Sequence, residues 1–403
     1  MVDLQNRKSL STSRLQKRAE EKSCQLSRNS FRTCQAGFSL VELMISSVIG
    51  LLIILAVSRA YVATTTAYAL NEGSGRIQEN ARLALESIQR DVRMAGYMGC
   101  VNDGARLRSS EAFVHLTGAS SIQSFAGVDF ADDFSKAIEG FEASGTGPGA
   151  SVSLASAAAT WEPNLPSQLS GKVAAGSDVL VVRYMGPNRI SPTSIASNSN
   201  GKRVVLPASA QNFIVPNRVY AISDCRQTSF FYATGINGTG TEFTAQGVSG
   251  AEIFTSNSAY IYETTVVAYY VGASEAGRSL FRLPLYRNMT GVVATPLVDN
   301  VQTLQALYAW DSATPLPDGA IDKEGTAATL AAATVGGKRA YDRVGQVRVG
   351  LLLQAQGPRA RDNIGTQADQ QALAGVQVRP SDPKFLYEAF ETTAASRNHL
   401  FGY

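Results

Sequence analysis

An α+β fold, with one long N-terminal helix packed on an antiparallel β-sheet domain with long loops, follows from three features of this 403-residue chain. An almost unbroken apolar run covers 38–57. Helical periodicity continues beyond it to Val92, and no proline occurs before Pro148. After Gly96, segments rich in Val, Tyr and Phe alternate with stretches of Gly, Ser, Ala and Thr.

The first 37 residues form a basic leader with eight Lys or Arg and three acids, so the net charge of +3 comes from this end. The rest of the chain is slightly acidic, which removes the pI as a sign of nucleic-acid binding. Such a leader keeps its side of a membrane segment cytoplasmic. The run 38–57 is 20 residues long and as a helix spans ~30 Å, about one hydrocarbon thickness. It is too long for an ordinary secretory signal, and no small-x-small cleavage site follows it. The small residue suited to processing is Gly37, ahead of the run, so a cut there leaves the membrane segment on the mature protein. Glu42 sits within the run, where a charge in hydrocarbon costs at least ~2.5 kcal/mol and requires compensation.

Beyond the span, Ile77, Ala81, Ala84, Ile88 and Val92 recur at helical spacing with Leu85 beside them, while Arg76, Glu79, Arg82, Glu86, Arg90 and Arg93 take the other faces. The glycines at 73 and 75 mark a kink or short break, and Gly96 reads as a C-cap. The predicted division is a leader at 1–37, a helix at 38–95 (38–58 transmembrane, 59–95 amphipathic) and a β-rich domain at 96–403. Predicted strands are 178–184, 212–222, 228–234, 259–271, 280–286, 304–310 and 344–354, with 143–160, 185–201, 236–250 and 325–338 as loops.

No catalytic motif of the GxSxG, HExxH, P-loop or CxxC type is present, and the two histidines, His115 and His399, have no metal-ligand neighbours in sequence. The acidic clusters Asp129, Asp132, Asp133 and Asp311, Asp318, Asp322, Glu324 leave a calcium site open as an alternative but lack EF-hand spacing, and they read as solvated loops. Aromatics between 260 and 270 read as sheet core. Neither an enzyme nor a cofactor is expected.

Gly37-Phe38-Ser39-Leu40-Val41-Glu42 followed by the apolar run resembles the class III signal of type IV prepilins and pseudopilins. The stretch 93–100, Cys225 with its Ser-Asp before it, 296–308, 344–353 and the terminal Arg397-Asn398 resemble PilW-type minor pilins, in that family's order. Ala309 stands where the family usually has glycine.

The resemblance implies that a prepilin peptidase cuts between Gly37 and Phe38 and that the new amine of Phe38 is methylated. It also implies that Glu42 pairs with the amine of an adjacent subunit, so that the cost of the buried carboxylate enforces register. Cys24 and Cys34 leave with the leader; Cys100 and Cys225 remain, as a disulfide or as two buried free thiols. The expected protein is a single-pass inner-membrane subunit with a periplasmic domain, moving to the pilus and cell surface on assembly. Its expected partners are other minor pilins and the major pilin through the helix, the assembly platform and a PilY-type tip adhesin. Pilus assembly, adhesion and twitching motility are the processes implied. The J-type pseudopilin of type II secretion is the neighbouring alternative, although its domain is usually smaller; a membrane-anchored periplasmic binding protein or enzyme is the alternative from another class.

Overall fold

The computed structural model describes residues 38–99, 114–115, 130–216, 218–224, 227–248, 254–275, 277–286, 294–315, 317–358, 369–396 and 398. The leader, Gly37, Cys100, Cys225, Asp129, Arg397 and His399 lie outside the described residues, as does the side chain of His115.

Helix α1 runs unbroken over Leu40–Met94, 55 residues. The break expected at Gly73 and Gly75 does not occur. A glycine in a helix interior costs ~1 kcal/mol, and tertiary contact offsets it here. Gly73 is buried, Ser74 Oγ donates to Glu388 Oε1 at 2.9 Å, and Arg76 pairs with Glu72 at 2.8 Å across one turn. Gly96 follows the helix with φ of 71°, a left-handed conformation that glycine adopts without penalty, as the sequence predicted.

The chain divides into two compact units, Met1–Thr64 and Thr65–Tyr403. In the first, the helix from Leu40 onward is exposed and apolar, and it is long enough to cross a membrane. In the second, the remaining turns of α1 share a core with two sheets.

Among the described residues the larger sheet has twelve strands. At its centre Ile138–Ala143, Val179–Ile190, Tyr260–Ser274 and Val219–Ser223 lie side by side, and Thr228–Thr234, Glu242–Gln246, Gly201–Val205 and Ser194–Asn198 extend it to one edge. Apart from a short parallel pairing of Val114 and His115 with Thr228 and Ser229, it is antiparallel. The second sheet orders Lys323–Gly325, Val301–Trp310, Val344–Pro358 and Phe385–Ala395, all antiparallel. A three-stranded patch joins Ser151–Ser153 to Val376–Arg379 and Gln371–Leu373.

The predicted stripe of α1 is buried as read: Ile77, Ala81, Ala84, Ile88 and Val92 are at most 2 % exposed. They share one core with Leu180, Val182, Val267 and Tyr269 of the larger sheet and Val347, Val349, Leu351 and Leu353 of the second. The aromatics Tyr262, Tyr269 and Tyr270 are also core.

Several loop expectations are corrected. Ser151–Ser153 lies inside 143–160, Ser194–Asn198 inside 185–201 and Glu242–Gln246 inside 236–250, while 325–338 holds the short helix Ala327–Ala332. Ser194–Asn198 forms at the sheet's edge through backbone pairing and is almost wholly exposed, so its sequence carries little apolar alternation, while Glu242–Gln246 does alternate, with Phe243 and Ala245 buried, but over only five residues. The predicted strand 212–222 shrinks to Val219–Ser223, because Asn212 is left-handed (φ 63°) and Tyr220 bonds back to the loop, to Phe213 O at 3.1 Å and Val215 N at 2.7 Å.

Candidate functional site

The membrane end of α1 is simple. Phe38 is 82 % exposed and precedes the first helical turn. Glu42 lies in that turn, where the free backbone N–H groups favour an anion. It accepts a long hydrogen bond from Ser39 N at 3.4 Å, and Leu43 N donates to Ser39 O at 3.1 Å. From Leu40 to Val57 the large apolar residues are all more than half exposed, a surface suited to lipid or to other helices.

At the other end, three groups of contacts fasten the helix to the domain. Asp91, 1 % exposed, stands on the buried face beside Ile88 and Val92. Its Oδ1 accepts from the Tyr184 hydroxyl at 3.0 Å, and its Oδ2 accepts from the Tyr269 hydroxyl at 2.6 Å and from Arg282 Nε at 2.9 Å. Ser87 Oγ lies 2.9 Å from the Tyr269 hydroxyl, one turn earlier on the same face. Burial, followed by the Asp91 charge, pushes the Tyr184 phenol up to about 12, so both tyrosines stay protonated and donate. A buried carboxylate held by two hydroxyls and a guanidinium is compensated, and it fixes the helix in register against the larger sheet.

Asn398 provides the second fastening. Its Nδ2 lies 3.3, 3.3 and 3.2 Å from the carbonyls of Arg93, Met94 and Ala95 at the helix end, of which Met94 O also accepts from Tyr97 N at 3.0 Å. Ser396 Oγ adds a contact to Ala95 O at 3.4 Å, and Gly96 N donates to Arg183 O at 3.0 Å. The third joins the turn after the helix to the larger sheet. Met185 N donates to Tyr97 O at 2.9 Å, and Met98 O accepts from Thr228 Oγ1 at 3.0 Å. Gly99, left-handed at φ 78°, sits so close to Ser223 that a Cβ there would press on its hydroxyl. These contacts bring the residues before Cys100 and Cys225 together.

The sequence reading found the apolar stripe but missed Asp91 and Asn398 in these roles. An acid at the spacing of a buried stripe (84, 88, 91) was the available signal for Asp91. For Asn398 no local pattern pointed to a helix more than 300 residues upstream.

The acidic clusters are not simply solvated loops as expected: Asp132 and Asp311 are buried, because each is drawn in by hydrogen-bond donors around it. Asp311 accepts from Ala313 N and Gly319 N, both at 2.8 Å, and Asp318 accepts from Ala320 N at 2.8 Å. Asp322 accepts from Ser312 N at 2.8 Å and Ser312 Oγ at 2.6 Å, and Glu324 pairs with Arg348 at 3.1 Å. Asp133 binds the amide and hydroxyl of Ser135, and Asp132 accepts from Tyr232. Among the described residues no group of three or more His, Cys, Asp or Glu is placed to hold a metal.

Two family models match the chain. Residues 268–398 match the family described as type IV pilus-assembly protein W, a range that contains Arg282, the second sheet's long strands and Asn398. Residues 32–58 match the prokaryotic N-terminal methylation motif, a range that contains Gly37, Phe38, Glu42 and the apolar run. A search of curated proteins and of solved structures returned no match.

Proposed function

This chain belongs to the PilW-type minor pilins of the type IV pilus, and from that premise we propose that it acts in a tip-proximal complex of minor pilins that primes pilus assembly. Participation in pilus assembly and anchorage by one apolar helix follow from the family and the motif. The family is a structural part of the pilus rather than a catalyst.

The observation that carries the proposal is the coexistence, in one helix, of an unburied apolar half behind a methylation motif and a half fastened into a large β domain. Prepilin peptidase cuts after Gly37, the amine of Phe38 is methylated, and the basic leader stays on the cytoplasmic side while 96–403 is periplasmic. The assembly platform then extracts the subunit into a helical bundle with other minor pilins and the major pilin, where Glu42 meets the amine of a neighbour. That reading is supported by the weak self-contact of Glu42, a single 3.4 Å bond from Ser39, which leaves the carboxylate available. The domain offers surfaces to a PilY-type tip adhesin and reaches the cell surface with the pilus. Cys100 and Cys225 form a disulfide, a proposal supported by the approach of Gly99 to Ser223.

Intact mass and N-terminal sequencing of the mature protein test the processing: a methylated Phe38 is expected, and a retained leader overturns it. Glu42→Ala is expected to be processed normally yet recovered in sheared pili at a small fraction of the wild-type level; normal recovery overturns the pairing role. Pull-down of the processed protein is expected to retain the other minor pilins, and their absence from the eluate counts against the priming complex. Non-reducing peptide mapping is expected to find Cys100 linked to Cys225; two alkylatable thiols in the unfolded chain would show otherwise.

A further inference from the structure

The larger and second sheets meet at a short segment whose side chains are all buried. Gly176 O accepts from Thr303 Oγ1 at 2.8 Å and from Gln305 Nε2 at 2.9 Å. Ser177 Oγ accepts from Leu304 N at 3.0 Å, and Asp178 N donates to Leu304 O at 2.8 Å. The Asp178 carboxylate then bridges the sheets: Oδ1 accepts from Ala143 N at 2.8 Å, at the end of Ile138–Ala143, and Oδ2 accepts from Ala306 N at 2.9 Å, within Val301–Trp310.

A second carboxyl, Glu142, is placed against the first. Thr146 Oγ1 stands 3.2 Å from Glu142 Oε1, 3.2 Å from Asp178 Oδ1 and 2.6 Å from the carbonyl of Ala143. A hydroxyl has one hydrogen, and the carbonyl at 2.6 Å can only accept, so that hydrogen goes to Ala143 O. The Thr146 oxygen is then presented to two carboxyl groups, and it is a favourable neighbour only to one that carries a proton. Asp178 already accepts an amide on each oxygen, which suits the anion. Among the described residues Glu142 Oε2 has no hydrogen-bond partner, and Glu142 is 7 % exposed.

The other titratable groups facing the site offer no compensation. Tyr308 is fully buried with its hydroxyl unpartnered among the described residues, and Tyr341 bonds to Gly140. Glu139, on the same strand as Glu142, is occupied by Arg183 at 2.9 Å and by Lys136. The neighbouring helix Ala327–Ala332 carries no charge.

We propose that Glu142 and Asp178 share one proton, held on Glu142 against the Thr146 hydroxyl, and that this pair is a pH-responsive joint between the two sheets. Loss of the proton to solvent water puts two anions side by side in a buried site and loosens the amides of Ala143 and Ala306. Burial pushes the Glu142 carboxyl up to about 7, against the pull of the Ala327 amide, and burial with the nearby Glu142 raises Asp178 as well. The folded chain therefore holds more protons than the unfolded one between the ordinary Glu value of 4.5 and about 7. Stability is full below that window and falls as pH rises through it. The joint is a property of the fold and stands independently of the priming role.

The test uses the full processed chain in detergent. The thermal midpoint of the wild type is expected to fall by about 3 °C or more between about pH 5 and pH 8, and Glu142→Gln, which mimics the protonated acid, is expected to flatten that fall. Parallel curves overturn the proposal. Infrared difference spectra of the wild type give an answer even if the variant does not fold: a protonated-carboxyl band that titrates away between about pH 6 and pH 8 is expected. Absence of the band at pH 6, or its persistence unchanged at pH 8, overturns the proposal, as does an equal band in a folded Glu142→Gln.

Discussion

Asp91 shows how a single side chain can be structurally decisive yet hidden in the sequence. Its partners Tyr184, Tyr269 and Arg282 lie 93, 178 and 191 residues away, so the only local sign was its place on the apolar stripe, which does not name them. Glu42 is the opposite case: the expectation for it rests on sequence neighbours, because Gly37, Phe38 and the apolar run stand beside it. Removing one member of a buried charged cluster leaves the others uncompensated. Asp91→Ala is accordingly expected to cost about 3 kcal/mol in urea unfolding, and Asp91→Asn, which keeps an acceptor, distinctly less. Replacing Arg282 by Met is expected to cost less than Asp91→Ala, because its side chain is 28 % exposed and the two hydroxyls still serve the carboxylate. Gly140 is constrained by close approach: a Cβ there would overlap the Tyr308 hydroxyl.

Helix α1 was legible almost throughout, since five apolar residues at helical spacing need only a partner surface to become a buried face. Its continuity through Gly73 and Gly75 was not legible, because the compensation comes from Glu388 on a distant strand. The strands divide in the same way. Thr228–Thr234 was read to the residue, and the long strands Tyr260–Ser274 and Val344–Pro358 were found by their apolar content. Ser194–Asn198 was lost because backbone pairing at a sheet's margin leaves little trace in side chains, whereas Glu242–Gln246 alternates, with Phe243 and Ala245 buried, over a run too short to stand out beside its glycines. Ile88 is fully buried in the core shared with both sheets, so Ile88→Ala is expected to destabilise by about 3 kcal/mol, measured by the shift of the urea midpoint at constant slope. Leu83, on the opposite side and 52 % exposed, is expected to tolerate alanine within about 0.5 kcal/mol in the same assay.

As a molecule, the chain carries on one helix an exposed apolar stretch long enough to cross a membrane and later turns buried against two sheets. The α+β class and the membrane segment were readable from the sequence, because hydrophobic length and periodicity are properties of short windows. The division into two principal sheets and the polar seam at Gly176–Asp178 were not, since Ser, Thr, Gln and Asp in a seam look like loop residues until their partners are known. Asn398→Ala is expected to destabilise by about 1 kcal/mol and to speed amide exchange in the last turn of α1. Exchange unchanged in that turn would remove Asn398 from the capping role. The Asn398 contact also sets an order in time. The last turn of α1 is synthesised before most of the sheets, but the amide that closes it comes from a residue 303 positions after Ala95. A chain delivered N-terminus first therefore carries an open helix end until nearly all of the β domain has followed, so closure of that turn reports that the domain has arrived.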